Sequence, residues 1–316
     1  MKKKRISIVI PCYNTSDIIY TMMQEIQHEM SKMDIDDYEV ILVDDFSPKR
    51  KEVLERLQKV YAEYDFVKVI ELAKNTGQHN AIMAGLNYAK GDIIVGMDDD
   101  MQTHPSQLRT LLEELEKGYD IVYGYYPEKK HSLFRNFGSW VNYESVRIMI
   151  GKPKELKTSS YWVIRRYVRD EAVRYTQPFT YLQGVFLRIT RNISSVPIQH
   201  FERQIGTSNY SFKSLVKLWG NISGFSLVPL RLSTYAGNIF ASVGLIGAIV
   251  VVIRKILHPD MAVGWSSLMA AIFFFSGIIL LFMGLIGEYI GRMFLGLNNT
   301  PQYVVREVHD KDQEDK

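Results

Sequence analysis

The sequence predicts an α/β protein in which a mostly parallel sheet is followed by a hairpin of two membrane-spanning helices. Short β-branched runs alternate with helical patterns through the first half of the chain. Residues 232–253 and 261–287 contain no Asp, Glu, Lys or Arg. Each of these stretches is long enough to cross a hydrocarbon core of about 30 Å. The net charge of +3 is too small to indicate nucleic acid binding.

The pattern predicts the following elements in order. Strands are expected at residues 6–10, 38–43, 67–72, 92–97 and 121–124, because each is a short segment in which β-branched and apolar residues predominate. Ser16 or Asp17 can cap the first helix, which is expected to continue to about Met33. Further helices are expected at residues 51–64, 80–89 and 105–118, the last with Pro at its first position and Gly at its end.

The chain of 316 residues has one cysteine, Cys12, which excludes an internal disulfide and a cysteine-based zinc site. A single thiol suits a reducing compartment. Basic residues 2–5 precede a short apolar run, but Pro11 ends that run before it reaches the length of a signal peptide. The first strand is not followed by a Gly-x-Gly-x-x-Gly sequence, and the chain has no Gly-Lys-Ser/Thr loop, so neither a dinucleotide-binding fingerprint nor a P-loop is present.

Three carboxylates stand where the fourth predicted strand ends, which is where open α/β sheets bind ligands. If the strand geometry continues, Asp98 and Asp100 lie on one side and Asp99 on the other. Two acids on one side require either a cation between them or a raised pKa, and the natural cation is a hard ion, Mg²⁺ or Mn²⁺, to which Gln102 can add a neutral oxygen. The alternative is a solvated acidic turn in front of a helix, where acids also suit the helix dipole.

Four motifs in the first half occur in an order and spacing that resemble the family-2 inverting glycosyltransferases with the GT-A fold. They are residues 9–14, 43–47, 75–78 and 98–105. Within that family the chain is most similar to the polyprenyl-phosphate glycosyltransferases, which include dolichol-phosphate mannose synthase and the bactoprenol glucosyltransferases. Residues 203–210, 287–292 and 301–303 extend this resemblance over nearly the whole chain.

The resemblance implies a role for each site residue. Pro11, Tyr13 and Asp45 would bind the nucleotide base, with Asp44 beside them, although for Asp44 an acidic turn is an equal alternative. Asp99 would face the donor ribose or sugar. Arg203 would clamp a phosphate, because a guanidinium matches phosphate with two hydrogen bonds. The metal on the diphosphate, Mg²⁺ or Mn²⁺, would be held by Asp98, Asp100 and Gln102, and Ser208 would belong to the Arg203 motif.

The acceptor implied by the resemblance is a polyprenyl phosphate. A phosphate monoester is largely anionic at neutral pH and can attack without a general base, but it needs cationic positioning. Arg135 is the candidate for this task, with Lys129 and Lys130 as secondary candidates. The chain departs from the family at residues 124–126 and 159–162, which are expected to wall the sugar pocket, so the donor sugar stays open.

The expected organisation is a GT-A catalytic domain at residues 1–210, an interfacial amphipathic helix at 211–231, two transmembrane helices at 232–290 and a cytoplasmic tail at 291–316. For residues 211–231 a core helix of the catalytic domain is the alternative. The catalytic domain is placed on the cytoplasmic side of the cell inner (plasma) membrane, where nucleotide sugars occur. Arg254, Lys255 and His258 in the hairpin loop weaken the positive-inside argument for this orientation.

The function expected from these observations is inverting transfer of a sugar from a nucleotide-sugar, with uridine favoured over guanosine, to a membrane polyprenyl phosphate. The expected partners are the donor, the acceptor and membrane lipid; no nucleic acid is expected, and a homo-oligomer is expected. One alternative is a family-2 transferase that glycosylates a lipid-linked sugar or polysaccharide hydroxyl. Another is a non-catalytic membrane protein with a degenerate domain. A fragment ending near Tyr210 is expected to bind nucleotide and metal.

Overall fold

The computed structural model describes residues 4–33, 35, 37–127, 144, 147–199, 226–257 and 264–311. Within them strands and helices alternate along the first half of the chain. The strands are β1 (Ile6–Cys12), β2 (Tyr38–Asp44), β3 (Val67–Leu72), β4 (Ile93–Gly96), β5 (Ile121–Tyr125), β6 (Trp162–Arg165), β7 (Ile193–Pro197) and β8 (Val305–His309). The helices are α1 (Ile18–Lys32), α2 (Arg50–Glu63), α3 (Gln78–Tyr88), α4 (Leu108–Glu116), α5 (Arg166–Ala172), α6 (Leu182–Ile189), α7 (Val228–Leu257) and α8 (Trp265–Leu297).

The eight strands form one sheet in the order β7-β5-β6-β4-β1-β2-β3-β8. Strands β4, β1, β2 and β3 are parallel neighbours, as are β5 and β7, whereas β6 and β8 run antiparallel to the strands beside them. The predicted mostly parallel GT-A sheet is confirmed. The first five strands and first four helices lie within about two or three residues of their predicted positions, and a short 3-10 turn, Pro105–Gln107, leads into α4.

Both faces of the sheet are covered by helices, which is why β1 and β3 are buried along their whole length. Helices α1, α2 and α4 pack on one face, and α3, α5 and α6 pack on the other. The carboxyl ends of the parallel strands therefore meet at one edge of the sheet. That edge carries the acidic loop after β4 and the loop after β2.

Helices α7 and α8 contain two candidate membrane spans, Val228–Val251 and Phe274–Leu297, with mean hydropathies of 1.7 and 1.8 and no part of either span buried. With 33 residues, α8 is about 50 Å long. A hydrocarbon core of about 30 Å accommodates only part of that length. The charged residues of α8, Glu288 and Arg292, lie in its last three turns, at the end that leads back to the sheet domain. Of the predicted interfacial region, residues 211–225 lie outside the described residues, and residues 228–231 belong to α7.

After α8 the chain returns to the sheet, which changes the predicted domain division. Strand β8 pairs antiparallel with β3 at the sheet edge. Lys68 in β3 and Asp310, directly after β8, are both buried and form an ion pair at 2.9 Å. Residues 305–309 therefore belong to the sheet, and a catalytic domain ending at residue 210 would lack this strand.

Candidate functional site

Gly96, the last residue of β4, packs against the ring of Trp162 just before the acidic loop. A Cβ atom at Gly96 would overlap the Trp162 ring. The strand therefore ends two residues before Asp98, and Asp99 and Asp100 lie in a turn. The strand alternation that was used to assign the acids to two sides does not extend to them, although their side chains do have separate partners.

Two other elements hold the carboxylate of Asp98. The Gln78 side-chain amide, at the start of α3, donates a 2.7 Å hydrogen bond to Asp98 Oδ1. The Ser160 hydroxyl, two residues before β6, donates to Oδ2. The backbone N–H of Asp98 donates to Thr103 Oγ1 at 3.0 Å. Both oxygens are thus oriented from outside the loop, which is the kind of support that metal-ligating carboxylates receive in proteins.

Asp99 points away from these partners and accepts a hydrogen bond from the hydroxyl of Thr15, in the loop after β1. Burial raises the pKa of Asp99 to about 6, and the charges of Asp98 and Asp100 act in the same direction. Asp100 Oδ1 accepts a 3.1 Å hydrogen bond from the backbone N–H of Gln102. The loop therefore concentrates negative charge that a cation would relieve.

The donor set at this loop fits a hard divalent cation. Asp98 and Asp100 offer carboxylate oxygens, the ligand type preferred by Mg²⁺ and Mn²⁺. The Gln102 carbonyl accepts a 3.0 Å hydrogen bond from the hydroxyl of Tyr126. Burial, with Asp98 and Asp100 nearby, raises the pKa of Tyr126, so this hydroxyl stays protonated as a donor. The metal roles of Asp98, Asp100 and Gln102 stay predictions.

A second acidic group lies elsewhere, at the edge formed by β3 and β8. Potential ligand atoms of Glu71, Glu307 and His309 lie within 4.8 Å of one another. Glu71, however, already forms an ion pair with Arg50 at 2.8 Å, and its other oxygen lies 3.3 Å from His309 Nε2. This cluster is accounted for by ion pairing between β3, β8 and α2 and does not belong to the acidic loop.

The two acids at the end of β2 organise the adjacent loops. Asp45 accepts hydrogen bonds from the backbone N–H groups of Thr76 at 2.7 Å and Gly77 at 2.8 Å, and from the Asn75 side chain at 3.1 Å. Asp44 accepts a 2.7 Å hydrogen bond from the Ser47 hydroxyl. Burial raises the pKa of both Asp44 and Asp45. In the ligand-free protein Asp45 thus fixes the loop in front of α3, and its contact with a base stays a prediction.

Two aromatic rings lie open beside these acids. Tyr13 is 49% exposed and Phe46 is 39% exposed. The guanidinium of Arg50 lies 4.8 Å from the centre of the Phe46 ring. Pro11 is buried within β1, so Tyr13 is the accessible member of the predicted pair. Sequence reasoning missed Phe46, although it lies inside the quoted 43–47 motif and is the apolar residue between the acids and Ser47.

Three further site residues also escaped sequence reasoning as individuals: Thr15, Gln78 and Ser160. Gln78 and Ser160 lie in segments that were singled out, but their contact with Asp98 joins residues 20 and 62 positions apart. The expectation that residues 159–162 border the site agrees with the position of Ser160. The predicted phosphate-binding residues Arg135, Arg203 and Ser208, together with Lys129 and Lys130, lie outside the described residues.

The acidic loop is connected to the end of the membrane hairpin through the first turn of α3. Asn80 in that turn donates a 3.0 Å hydrogen bond from its side chain to the carbonyl of Pro178. The next residue, Phe179, stacks on Arg292 of α8, with the guanidinium 4.6 Å from the ring centre. Gly296 of α8 packs against the side chain of Gln177. One loop of the sheet domain therefore contacts both α8 and the helix that holds Asp98.

A mostly parallel sheet with an acidic loop after β4, joined to an apolar helical hairpin, defines a membrane-associated glycosyltransferase of the GT-A type. The chain belongs to glycosyl transferase family 2, whose family model matches residues 7–176. A second model, described as the GtrB C-terminal hairpin, matches residues 228–293. The predicted family and enzyme class are thus confirmed, and the apolar hairpin corresponds to a known element of related proteins.

Curated relatives align over nearly the whole chain. An uncharacterized glycosyltransferase, YkcC, of Bacillus subtilis is 31% identical over 302 residues, covering 95% of this chain and 93% of that protein. The undecaprenyl-phosphate 4-deoxy-4-formamido-L-arabinose transferase of Klebsiella pneumoniae is 30% identical over 308 residues, covering 96% and 94%. A similarly named transferase of Yersinia enterocolitica is 31% identical over 319 residues, covering 99% and 96%.

Solved structures support the fold of the sheet domain. The glucosyl-3-phosphoglycerate synthase of Mycobacterium tuberculosis, crystallised with Mn²⁺, uridine diphosphate and phosphoglyceric acid, superposes with a TM-score of 0.51 at 16% identity. The alignment covers 71% of this chain and 78% of that one. At this identity the likeness concerns the fold alone.

Proposed function

We propose that this protein transfers a sugar, with inversion, from a nucleotide-sugar donor to a polyprenyl phosphate in the membrane. The observation that carries the proposal is the position of α3. Its first turn holds Asp98 through Gln78 and contacts the loop at Pro178 through Asn80. That loop packs on the end of α8. A phosphate at lipid headgroup depth would therefore be close to the acidic loop, whereas a soluble acceptor requires no such arrangement.

The curated relatives support the same acceptor class. Several of them are named as transferases that use undecaprenyl phosphate, and they align with this chain through the hairpin as well as the sheet domain. We propose a UDP-sugar as the donor. The choice of uridine rests on the resemblance of the motifs, so the test includes guanosine donors.

Asp98, Asp100 and Gln102 would hold Mg²⁺ or Mn²⁺ on the donor diphosphate. When bound, the metal would neutralise negative charge that develops on the leaving nucleotide. Gln78 and Ser160 keep both Asp98 oxygens oriented towards that position. Tyr13 and Phe46 offer open aromatic faces for the base, next to Asp44 and Asp45. Asp99 is proposed to face the ribose or sugar of the donor.

The acceptor phosphate is its own nucleophile, so the proposed reaction needs no general base. Arg135 and Arg203 are proposed to position the two phosphates, and Ser208 to support Arg203. We place the sheet domain on the cytoplasmic side of the inner membrane, because nucleotide sugars are found there. The single thiol, Cys12, is buried, in keeping with that compartment.

The test is a panel of radiolabelled UDP- and GDP-sugars incubated with full-length protein, Mn²⁺ and polyprenyl phosphate in detergent or lipid discs. We expect label in the lipid phase with one donor, and none when polyprenyl phosphate or metal is omitted. Label transferred at a comparable rate to free polyprenol, to a lipid-linked sugar or to a polysaccharide would contradict the proposal and support a hydroxyl acceptor. An absence of transfer with every donor would support a non-catalytic role.

A further inference from the structure

A groove of about 540 Å³ lies between the membrane hairpin and the sheet domain. One wall is apolar and belongs to the hairpin, with Leu230 from α7 and Ile286, Ile290 and Met293 from α8. The other wall is the loop of the sheet domain that packs on α8. It contributes Tyr175, Gln177 and Phe179, and Tyr289 and Arg292 of α8 complete the lining.

Arg292 is the cationic residue in the lining of this groove, and one of its nitrogens has no partner. Its Nε and Nη2 atoms both donate to Glu288 Oε1, at 2.9 Å and 2.7 Å. The Nη1 atom is buried, and no acceptor within the described ranges lies within hydrogen-bonding distance of it. A buried guanidinium N–H without an acceptor is unfavourable, so an anionic oxygen in the groove would be bound strongly.

Positive charge extends across this wall of the groove. Burial raises the pKa of Tyr175, and the nearby guanidinium groups of Arg188 and Arg292 act in the opposite direction. The phenol of Tyr175 is occupied as a donor to the carbonyl of Phe179 at 3.2 Å. The groove therefore combines an apolar wall with a guanidinium that is paired with Glu288 on one side and has an unsatisfied N–H on the other, which suits an amphiphile that carries an anionic head.

The depth of the groove agrees with such a ligand. Arg292 lies five residues before the end of α8, and charged side chains such as Arg292 and Glu288 are favoured at headgroup level over the hydrocarbon core. Ile290 and Ile286 precede Arg292 by two and six residues along α8 and are 54% and 50% exposed. An anionic head at Arg292 would thus lie at headgroup level, with its chain descending along α8.

We propose that this groove is a first docking site for the acceptor, with the phosphate on Arg292 and the first isoprene units along Ile286 and Ile290, and that the phosphate moves from there to the acidic loop for transfer. This inference rests on the proposed function. A phosphate monoester approaches two negative charges at neutral pH, whereas the diester of a common phospholipid carries one. The unpaired guanidinium N–H therefore favours the monoester. From Phe179 the route to the acidic loop is short, because the neighbouring Pro178 is bonded to α3.

The experiment measures acceptor binding and transfer separately, with full-length protein in discs of neutral lipid. We expect Arg292→Gln to raise the KM for polyprenyl phosphate about tenfold or more, the loss expected for one charge-assisted hydrogen bond. The value of kcat at saturating acceptor and the affinity for nucleotide should change little. Arg231→Gln is the matched control, since it removes an exposed guanidinium near the start of α7, which lies beside the end of α8 that carries Arg292. Its KM should stay at the wild-type value.

Two further variants separate binding from a structural role of Arg292. Glu288→Gln removes the ion pair but leaves Arg292 in place, so the KM should not rise. Ile286→Trp fills the apolar wall without touching the charge and should raise the KM. An Arg292→Gln protein with unchanged KM and active transfer would overturn the docking site while the proposed function stands. Equal competition by phosphatidylglycerol, dependent on Arg292, would instead assign the groove to general anionic lipid. A wild-type protein that transfers to no polyprenyl phosphate would overturn the proposed function itself, and with it this inference.

Discussion

The side-chain amide of Gln78 and the carboxylate of Asp98 are joined by a hydrogen bond of 2.7 Å, although one belongs to α3 and the other to the loop after β4. Ser160 donates to the second oxygen of the same carboxylate. The orientation of Asp98 is therefore set by two elements that do not belong to its own loop. Changes outside the acidic loop should consequently alter metal binding.

Gln78→Ala should weaken Mn²⁺ binding about 10- to 100-fold, the usual range for loss of a hydrogen bond that orients a metal ligand. The Mn²⁺ concentration needed for half-maximal transfer should rise, with much of kcat recovered at high metal. Asn87→Ala is the control, because that amide lies on the same helix and bonds within it to the Met83 carbonyl at 2.9 Å. Equal loss in both variants would point to damage to α3 instead.

Asp100→Asn should abolish transfer while the fold is retained, because it removes one of two charges proposed to hold the metal. EDTA should do the same to the wild-type protein. Lipid-phase radioactivity reports the activity, and thermal unfolding reports the fold. Asp65→Asn removes an equal charge at a fully exposed position, and we expect it to be active. Full activity of the wild type in EDTA would refute the metal assignment.

Transfer should decline as pH falls through about 6, where the dianion of a phosphate monoester takes up one proton and becomes a weaker nucleophile. Asp99 titrates in the same range in the metal-free protein, since burial raises its pKa to about 6. The two effects separate when donor binding is titrated over the same pH range without acceptor. If donor binding weakens in parallel with transfer, protonation of the enzyme, and not of the acceptor, explains the decline.

Asp99→Asn should stabilise the metal-free protein at pH 7.5 by about 1–3 kcal/mol. The carboxyl has a pKa raised from 3.8 to about 6, so the native state keeps a proton that the unfolded chain has released. The wild type therefore loses stability as pH rises between about 4 and 6, and asparagine does not titrate. Thermal unfolding in EDTA should show a large difference at pH 7.5 and a small one at pH 4. Equal differences at both values would indicate packing as the cause.

Asp310→Ala should destabilise the sheet domain by about 3 kcal/mol, because it breaks a buried ion pair with Lys68. Glu39 remains 3.3 Å from Lys68, which keeps the loss at the lower end of the range for such pairs. Lys311→Ala, which removes a pair with the exposed Asp65 and a contact with the Tyr61 ring but no buried ion pair, is the control. Limited proteolysis and thermal unfolding measure the effect. If Asp310→Ala is as stable as the control, β8 contributes little to the domain.

The pairing of β8 with β3 changes the expectation for a fragment ending near Tyr210. Such a fragment lacks β8 and exposes the edge of β3, which invites aggregation. A fragment to which residues 304–311 have been joined by a flexible linker should be more soluble than the simple truncation. Nucleotide binding, measured by calorimetry, should then be retained, because Asp45, Asp98 and Asp100 are all present.

The sequence was sufficient for those parts of the fold whose signal is local. Strands buried on both faces are rich in β-branched and other apolar residues, so β1 was identified from its residues, and β3 was identified although it contains Lys68 and Glu71. Strand β8 has mixed burial and pairs His309 with Val69, which is 240 positions earlier. No local pattern reports such a pairing, and the short β6 was missed for the same reason.

At the candidate site, too, features with a local sequence signal were predicted and contacts between distant residues were not. The acids of residues 98–100 were found because they follow a strand directly. The sequence did not predict the hydrogen-bond partners of these acids. Thr15 bonds Asp99 from 84 positions away, and Ser160 bonds Asp98 from 62 positions away. The contacts of Asp45 with Asn75, Thr76 and Gly77 likewise depend on two strands being neighbours in the sheet.

Strands β7 and β8 form the two opposite edges of the sheet, and the membrane hairpin lies between them in the chain. A domain that is connected to a membrane anchor at one point can rotate about that connection. This sheet domain is connected to the hairpin at two points of the chain, after one edge strand and before the other. Two connections restrict rotation of the sheet domain about the membrane normal. The donor site should therefore keep a constant orientation towards acceptors in the membrane. A flexible insertion at residues 298–304 should then lower kcat while the affinities for donor and acceptor stay unchanged.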